Sequence, residues 1–245
     1  MDALDIGVLA AVALATSTLS AIAGMAGGIV LLGVMLLYFE PLDAIPLHGV
    51  VQLVSNASRV FLQRRHVAWP LVWRYAIPLL PAGGAGLGLA RELPAAALRA
   101  AIGGFVLLAT WADRWLLLGS HPERIRPERR FWLLGTVLGA LNVTVGATGP
   151  LMAPFFLDLP LGRQGIVGTK AACQACGHLA KIALFGWAGF AFASHLALLA
   201  AMTGAGVVGT WLGTRILERM NERLFRWLFR GVLTVIALRL LWNAG

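Results

Sequence analysis

The sequence predicts an all-α, polytopic membrane protein made of two inverted-topology repeats. Each repeat has about four to five hydrophobic segments, including one broken or re-entrant short helix. Three observations lead there. The first is composition: of 245 residues, 59% are hydrophobic and 13% charged, and mean hydropathy is +0.79. A water-soluble fold of this size cannot hide that much apolar surface, since surface stays large relative to volume. The second is segmentation into apolar stretches of membrane-crossing length. The third is an internal repeat at an offset of 122 residues. Together they exclude a soluble enzyme, a disordered tail and a collagen-like chain.

In chain order, apolar stretches fall at about 4–23, 28–39, 46–62, 69–90 and 95–118. After a polar break at 119–130 they resume at 131–145, 150–159, 165–186, 189–213 and 224–243. The start, Met1-Asp2-Ala3-Leu4-Asp5, is acidic where a secretory signal would be basic, so 4–23 is read as part of the mature protein. Most stretches suffice for a ~30 Å hydrocarbon core at 1.5 Å per residue. The stretches 28–39 and 150–159 are too short for a clean crossing. Each follows a glycine-rich break, Gly24-Met25-Ala26-Gly27-Gly28 and Gly146-Ala147-Thr148-Gly149-Pro150. Such breaks at membrane depth survive only where protein or a cavity covers the freed backbone. Pro150 suits the first turn of a helix, where its missing N–H costs nothing.

The repeat is read from one register. Gly24 and Gly146, Gly27 and Gly149, Ser20 and Asn142, Gln52 and Gln174, and Arg59 and Lys181 all share the 122 offset. Five matches in one register mark a duplication, with repeats at 1–122 and 123–245. Alternating crossings put only Arg91, Arg99 and Arg239 on one side and every other arginine on the opposite side. The arginine-rich side is therefore expected to be cytoplasmic in a cell inner membrane, with both termini outward and the halves oppositely oriented. Trp69, Trp73, Trp111 and Trp115 sit at segment ends, as interfacial anchors do. The net charge of +9 is thus a topology signal and not a nucleic-acid footprint.

Two polar stripes follow the glycine breaks. His48, Gln52, Ser55, Asn56 and Arg59 share one helical face. Lys170, Gln174, Gly177, His178 and Lys181 repeat those spacings. Polar groups inside lipid are costly and face protein or a pathway. Gln52 and Gln174 lie near mid-segment, beyond the reach of snorkelling. Arg59 and Lys181 could snorkel to headgroups, the histidines could be structural hydrogen-bonders, and the glutamines could be interhelical glue. The matched pair of stripes favours a polar pathway. It offers cations, amides and imidazoles without a carboxylate, and Asn142, Thr148, Gly27, Gly28 and Gly149 add donors and backbone N–H groups at the breaks. Those surroundings suit a small anion and disfavour a metal ion, which needs oxygen or thiolate ligands. Cys173 and Cys176, at i and i+3 on a helix, read as small buried residues.

The segments from Gly24 to Arg65, with Leu47-His48-Gly49-Val50-Val51-Gln52-Leu53-Val54-Ser55-Asn56, and from Gly146 to Gly186, with Gly168-Thr169-Lys170-Ala171-Ala172-Cys173-Gln174 and His178-Leu179-Ala180-Lys181, resemble the TauE/SafE family of sulfite exporters. The family is also known as 4-toluene sulfonate uptake permease-like transporters. The resemblance implies export of sulfite, sulfoacetate or another sulfur-containing anion. The second break, with Thr148 and Pro150, departs from a plain glycine run.

The expected function is therefore a secondary transporter of a small oxyanion, working by alternating access. Gln52 and Gln174 would donate hydrogen bonds, while Arg59, Lys170 and Lys181 would attract the anion. His48 and His178 are candidate proton carriers. No cofactor is expected: Gly168-Thr169-Lys170 lacks the rest of a phosphate loop. The partners are the anion and the bilayer, with a homo-oligomer allowed. Three rivals remain: an anion channel, a non-transporting partner in a complex and an intramembrane enzyme. The last lacks a Gly-x-Ser-x-Gly or His-Glu-x-x-His motif.

Overall fold

The computed structural model describes residues 2–23, 27–111, 122–156, 159–216 and 222–242. Among them every regular element is helical. Gly24, Met25 and Ala26 of the first glycine break, Arg114, Trp115, Arg219 and the 157–158 part of the second short stretch lie outside the described residues. The order is α1 (Ala3–Ala23), α2 (Gly27–Met35), α3 (Pro41–Gln63), α4 (Trp69–Ala76), α5 (Leu79–Glu92) and α6 (Ala95–Trp111). The second half continues with α7 (Pro127–Thr144), α8 (Gly149–Met152), α9 (Gly162–Trp187), α10 (Leu196–Ile216) and α11 (Glu222–Trp242). Short 3₁₀ turns at Pro122–Arg124, Ala153–Phe156 and Phe192–His195 precede α7, follow α8 and lead into α10.

Two elements depart from the sequence expectation, and proline explains both. The stretch 69–90 is two helices, because Pro78 has no N–H and its ring opposes the carbonyl four residues back. The short stretch after the second break is only four α-helical residues and one 3₁₀ turn. Pro154 disfavours the α conformation in the residue before it, which ends α8. The helix after the first break, α2, has no proline and runs for nine residues.

Helix directions follow from the contacts. A Cβ placed on Gly49 would meet the stem of Lys181, and one on Gly168 would meet Gln63. Positions ascend on α3 as they descend on α9, so the two are antiparallel. Gly103 faces Ala237, while Trp111 donates from its indole to Thr234 at 2.8 Å, so α6 and α11 are also antiparallel. In contrast, α1 runs parallel to α10, and α4 and α5 run parallel to α7.

The parallel seams are built on small residues. Gly209 and Gly213 of α10 press on the carbonyls of Leu14 and Thr18 in α1. Gly135 and Gly139 of α7 press on the carbonyls of Tyr75 and Leu79. In lipid no hydrophobic gain separates helix from solvent, so close van der Waals approach at such Gly-x-x-x-Gly faces holds helices together. The buried core includes Leu31, Leu32 and Met35 of α2 and Leu134 and Leu138 of α7. The antiparallel pair α3 and α9 carries both polar stripes, with α2 packed on α3 and α8 lining the same cavity.

Candidate functional site

Each stripe residue takes its place from its helix face. α3 is amphipathic, and its buried face includes His48, Gln52, Ser55, Asn56 and Arg59. α9 buries Lys170, His178 and Lys181 and leaves Gln174 half-buried. The antiparallel crossing brings opposite ends of the two stripes together. The rings of His48 and His178 meet edge to face with centroids 5.8 Å apart. At the other end, Lys170 lies within electrostatic reach of Arg59.

Between these ends is a cavity of about 30 Å³. Nine of the sequence-predicted residues line it: His48, Gln52, Arg59, Gln174, His178, Asn142, Gly28, Thr148 and Gly149. A space of that size holds one or two waters. Gly28 lets the backbone of α2 approach Gln52, since a Cβ there would stand 3.3 Å from the Gln52 carboxamide. The Gly28 carbonyl, 2.8 Å away, accepts from Nε2 of His48. Nε2 therefore carries a proton. Among the described residues, Nδ1 of His48, Nδ1 of His178 and Oδ1 of Asn56 are buried without a hydrogen-bond partner. Each such atom costs about 1–3 kcal/mol, which a rigid structural core would not retain without reason.

The charge balance is one-sided. Arg59 is buried, and among the described residues its side chain bonds only to the carbonyl and hydroxyl of Ser55, at 3.4 and 3.3 Å. Lys181 is fully buried, and its ammonium donates to the Gly146 carbonyl at 2.7 Å. Among the described residues neither cation pairs with a carboxylate; Arg99 does pair with Glu40, but elsewhere in the molecule. Both side chains are enclosed by protein and do not reach outward as snorkelling would require.

The profile of the family described as sulfite exporter TauE/SafE matches residues 9–240, nearly the whole chain. The chain belongs to the TauE/SafE family. It is thus a membrane protein of a transporter family of the sulfite-exporter type. No curated protein and no solved structure gives a significant match.

Five predicted residues of this TauE/SafE member stand behind the cavity wall. Ser55 shares a hydrogen bond of 3.2 Å with Thr210 on α10. Asn56 donates to the Gln52 carbonyl at 2.9 Å, which fixes the turn that carries Gln52. Gly27 presses on the Thr16 carbonyl of α1. Lys170 and Lys181 complete the set, the latter bound to the glycine break. Two polar or aromatic wall residues, Ser20 and Tyr75, were not predicted as site residues, nor was Gly177 of the second stripe. Ser20 was legible as the partner of Asn142 at the 122 offset. Tyr75 was not, because it lies among Trp69, Trp73 and other apolar residues with no stripe of its own. It reaches the cavity because α4 packs on α9, where a Cβ at Gly177 would stand 3.3 Å from the Tyr75 hydroxyl. Cys173 and Cys176 are free thiols, the first buried.

Proposed function

We propose that this TauE/SafE chain exports a small sulfur oxyanion of the size and charge of sulfite. The observation that carries the reading is a cavity walled by the amides of Gln52 and Gln174 beside Arg59, a buried guanidinium with no carboxylate partner among the described residues. An uncompensated buried cation costs several kcal/mol, and an anion entering the cavity offsets that cost. The side-chain carboxamides of Gln52 and Gln174 have no hydrogen-bond partner among the described residues, so their N–H groups are free for oxyanion oxygens. So small a cavity, about 30 Å³, favours a compact inorganic anion over a bulky sulfonate.

Transport in this reading is alternating access between repeats 1–122 and 123–245. The antiparallel pairing of α3 with α9, and of α6 with α11, supports it, because equivalent helices of two inverted repeats must oppose each other across the pseudo-two-fold axis. α9 and α11 follow α3 and α6 by about 122 residues or a little more. The arginine-rich end faces the cytoplasm of the inner membrane, by the loop-charge argument. His48 and His178 are the proposed proton carriers.

The test is uptake into proteoliposomes of labelled sulfite, thiosulfate, a sulfonate panel and chloride. Saturable sulfite flux with counterflow is expected, lost in Gln52→Ala and Gln174→Ala without loss of membrane insertion. Linear flux without counterflow would indicate a channel, and unchanged flux in both variants would remove the glutamines from the site.

A further inference from the structure

A second cavity, sharing no lining residue with the first, lies at the end of the bundle where α2 stops and α3 begins. Its volume is about 730 Å³, and the first turn of α6 and the last turn of α11 close its other sides. Four charged side chains line it: Glu40, Asp43, Arg99 and Arg239. Two of them satisfy each other, since Arg99 pairs with Glu40 at 2.7 Å and also donates to the Leu36 carbonyl at 3.2 Å. The remaining two, Asp43 and Arg239, have no ion-pair partner among the described residues. The cleft is thus electrically balanced as a whole but carries one open anion and one open cation. A simple anion or a simple cation satisfies only half of it. A zwitterion satisfies both.

The surroundings say which zwitterion. Ends of membrane-spanning helices lie at headgroup depth. Leu37 and Tyr38 line the same cleft and are exposed, giving it an apolar margin. Trp242, exposed at the end of α11, is an amphipathic ring of the kind that settles at this level. A soluble zwitterion gains nothing from that margin, whereas a lipid lays its glycerol and first methylenes along it.

We propose that this cleft binds the headgroup of a phospholipid bearing a primary ammonium, with its phosphate on Arg239 and its ammonium on Asp43. The Arg99–Glu40 pair forms the floor and holds the α2–α3 turn to α6. The assignment does not depend on what the central cavity transports.

The protein in nanodiscs of equal phosphatidylethanolamine and phosphatidylglycerol, extracted in mild detergent, provides the test by native mass spectrometry of the lipids retained. Wild type retains phosphatidylethanolamine over phosphatidylglycerol by about five-fold or more. Asp43→Ala abolishes that preference, and Arg239→Ala lowers retention of both lipids. Asp43→Glu and Arg239→Lys keep the wild-type pattern, which separates lost charge from lost fold. Equal retention of the two lipids by wild type, or unchanged retention in both alanine variants, overturns the site. Displacement of the lipid by soluble phosphoethanolamine at comparable concentration overturns the lipid assignment in favour of a free zwitterion.

Discussion

Lys181 of α9 reaches back 35 positions and donates its ammonium to the carbonyl of Gly146 at 2.7 Å. Gly146 has φ +83°, a left-handed conformation that side-chain-bearing residues rarely adopt. The lysine therefore holds open the turn that presents Thr148 and Gly149 to the cavity. Removing its charge strands the carbonyl, at about 1–3 kcal/mol, but also removes an uncompensated buried cation, and the two effects oppose each other. Lys181→Met is expected to lower the melting temperature by only about 2–4 °C while cutting anion uptake about ten-fold or more. Thermal unfolding in detergent and liposome flux on the same preparation check this; equal loss of both would make Lys181 purely structural.

Gly28→Ala tests the approach of α2 to the glutamine. The added methyl would stand 3.3 Å from the Gln52 carboxamide, tighter than an ordinary contact, so the amide must shift by a few tenths of an ångström. The helix itself gains from alanine by about 0.5–1 kcal/mol. Stability should hold or rise while the half-saturation concentration for the anion increases. An unchanged flux curve would place Gln52 outside the binding geometry.

Gly209→Leu should break the seam between α1 and α10, because even a Cβ there collides with the Leu14 carbonyl. The loss is expected at about 1–3 kcal/mol or more, read as reduced yield of folded protein and a lower melting temperature. Gly88→Ala and Gly204→Ala serve as controls: both are interior helix positions with open space around them. They should be neutral or stabilising by up to about 1 kcal/mol.

Orientation is open to thiol labelling. With Cys173 and Cys176 replaced by alanine, a single Glu92→Cys at the end of α5 should react with an impermeant maleimide in intact cells. Arg65→Cys, just beyond α3, should react only after lysis. The reverse pattern would invert the whole molecule in the membrane.

The stripes were legible because helical spacing on α3 and α9 is local. Five residues at matched spacings announce a common face before any neighbour is known, and Gln52 and Gln174 do share a wall. The partition of those stripes was not legible. Whether Lys181 touches the cavity or its supporting turn depends on a contact with Gly146, which spacing along α9 does not encode. Tyr75 escaped for the same reason, since it joins the wall through packing between α4 and α9. The break at Pro78 was present in the stretch 69–90 and outweighed by its hydropathy; proline's missing donor decides the backbone whatever the surrounding polarity. The glycine pairs at 135 and 139 and at 209 and 213 carry helix packing, a signal that periodic hydrophobicity does not report.

Pro154 leaves α8 with four residues against the nine of α2. A macrodipole needs aligned peptide units; α2 keeps α geometry for nine residues, whereas α8 passes after four into a 3₁₀ turn of poorer hydrogen-bond geometry. Were the halves of a rocking carrier interchangeable, its inward and outward resting forms would have equal energy. In the proposed rocking carrier the unequal short helices would remove that degeneracy, giving the empty protein a preferred resting side and unequal loading and unloading rates even across a membrane with no gradient.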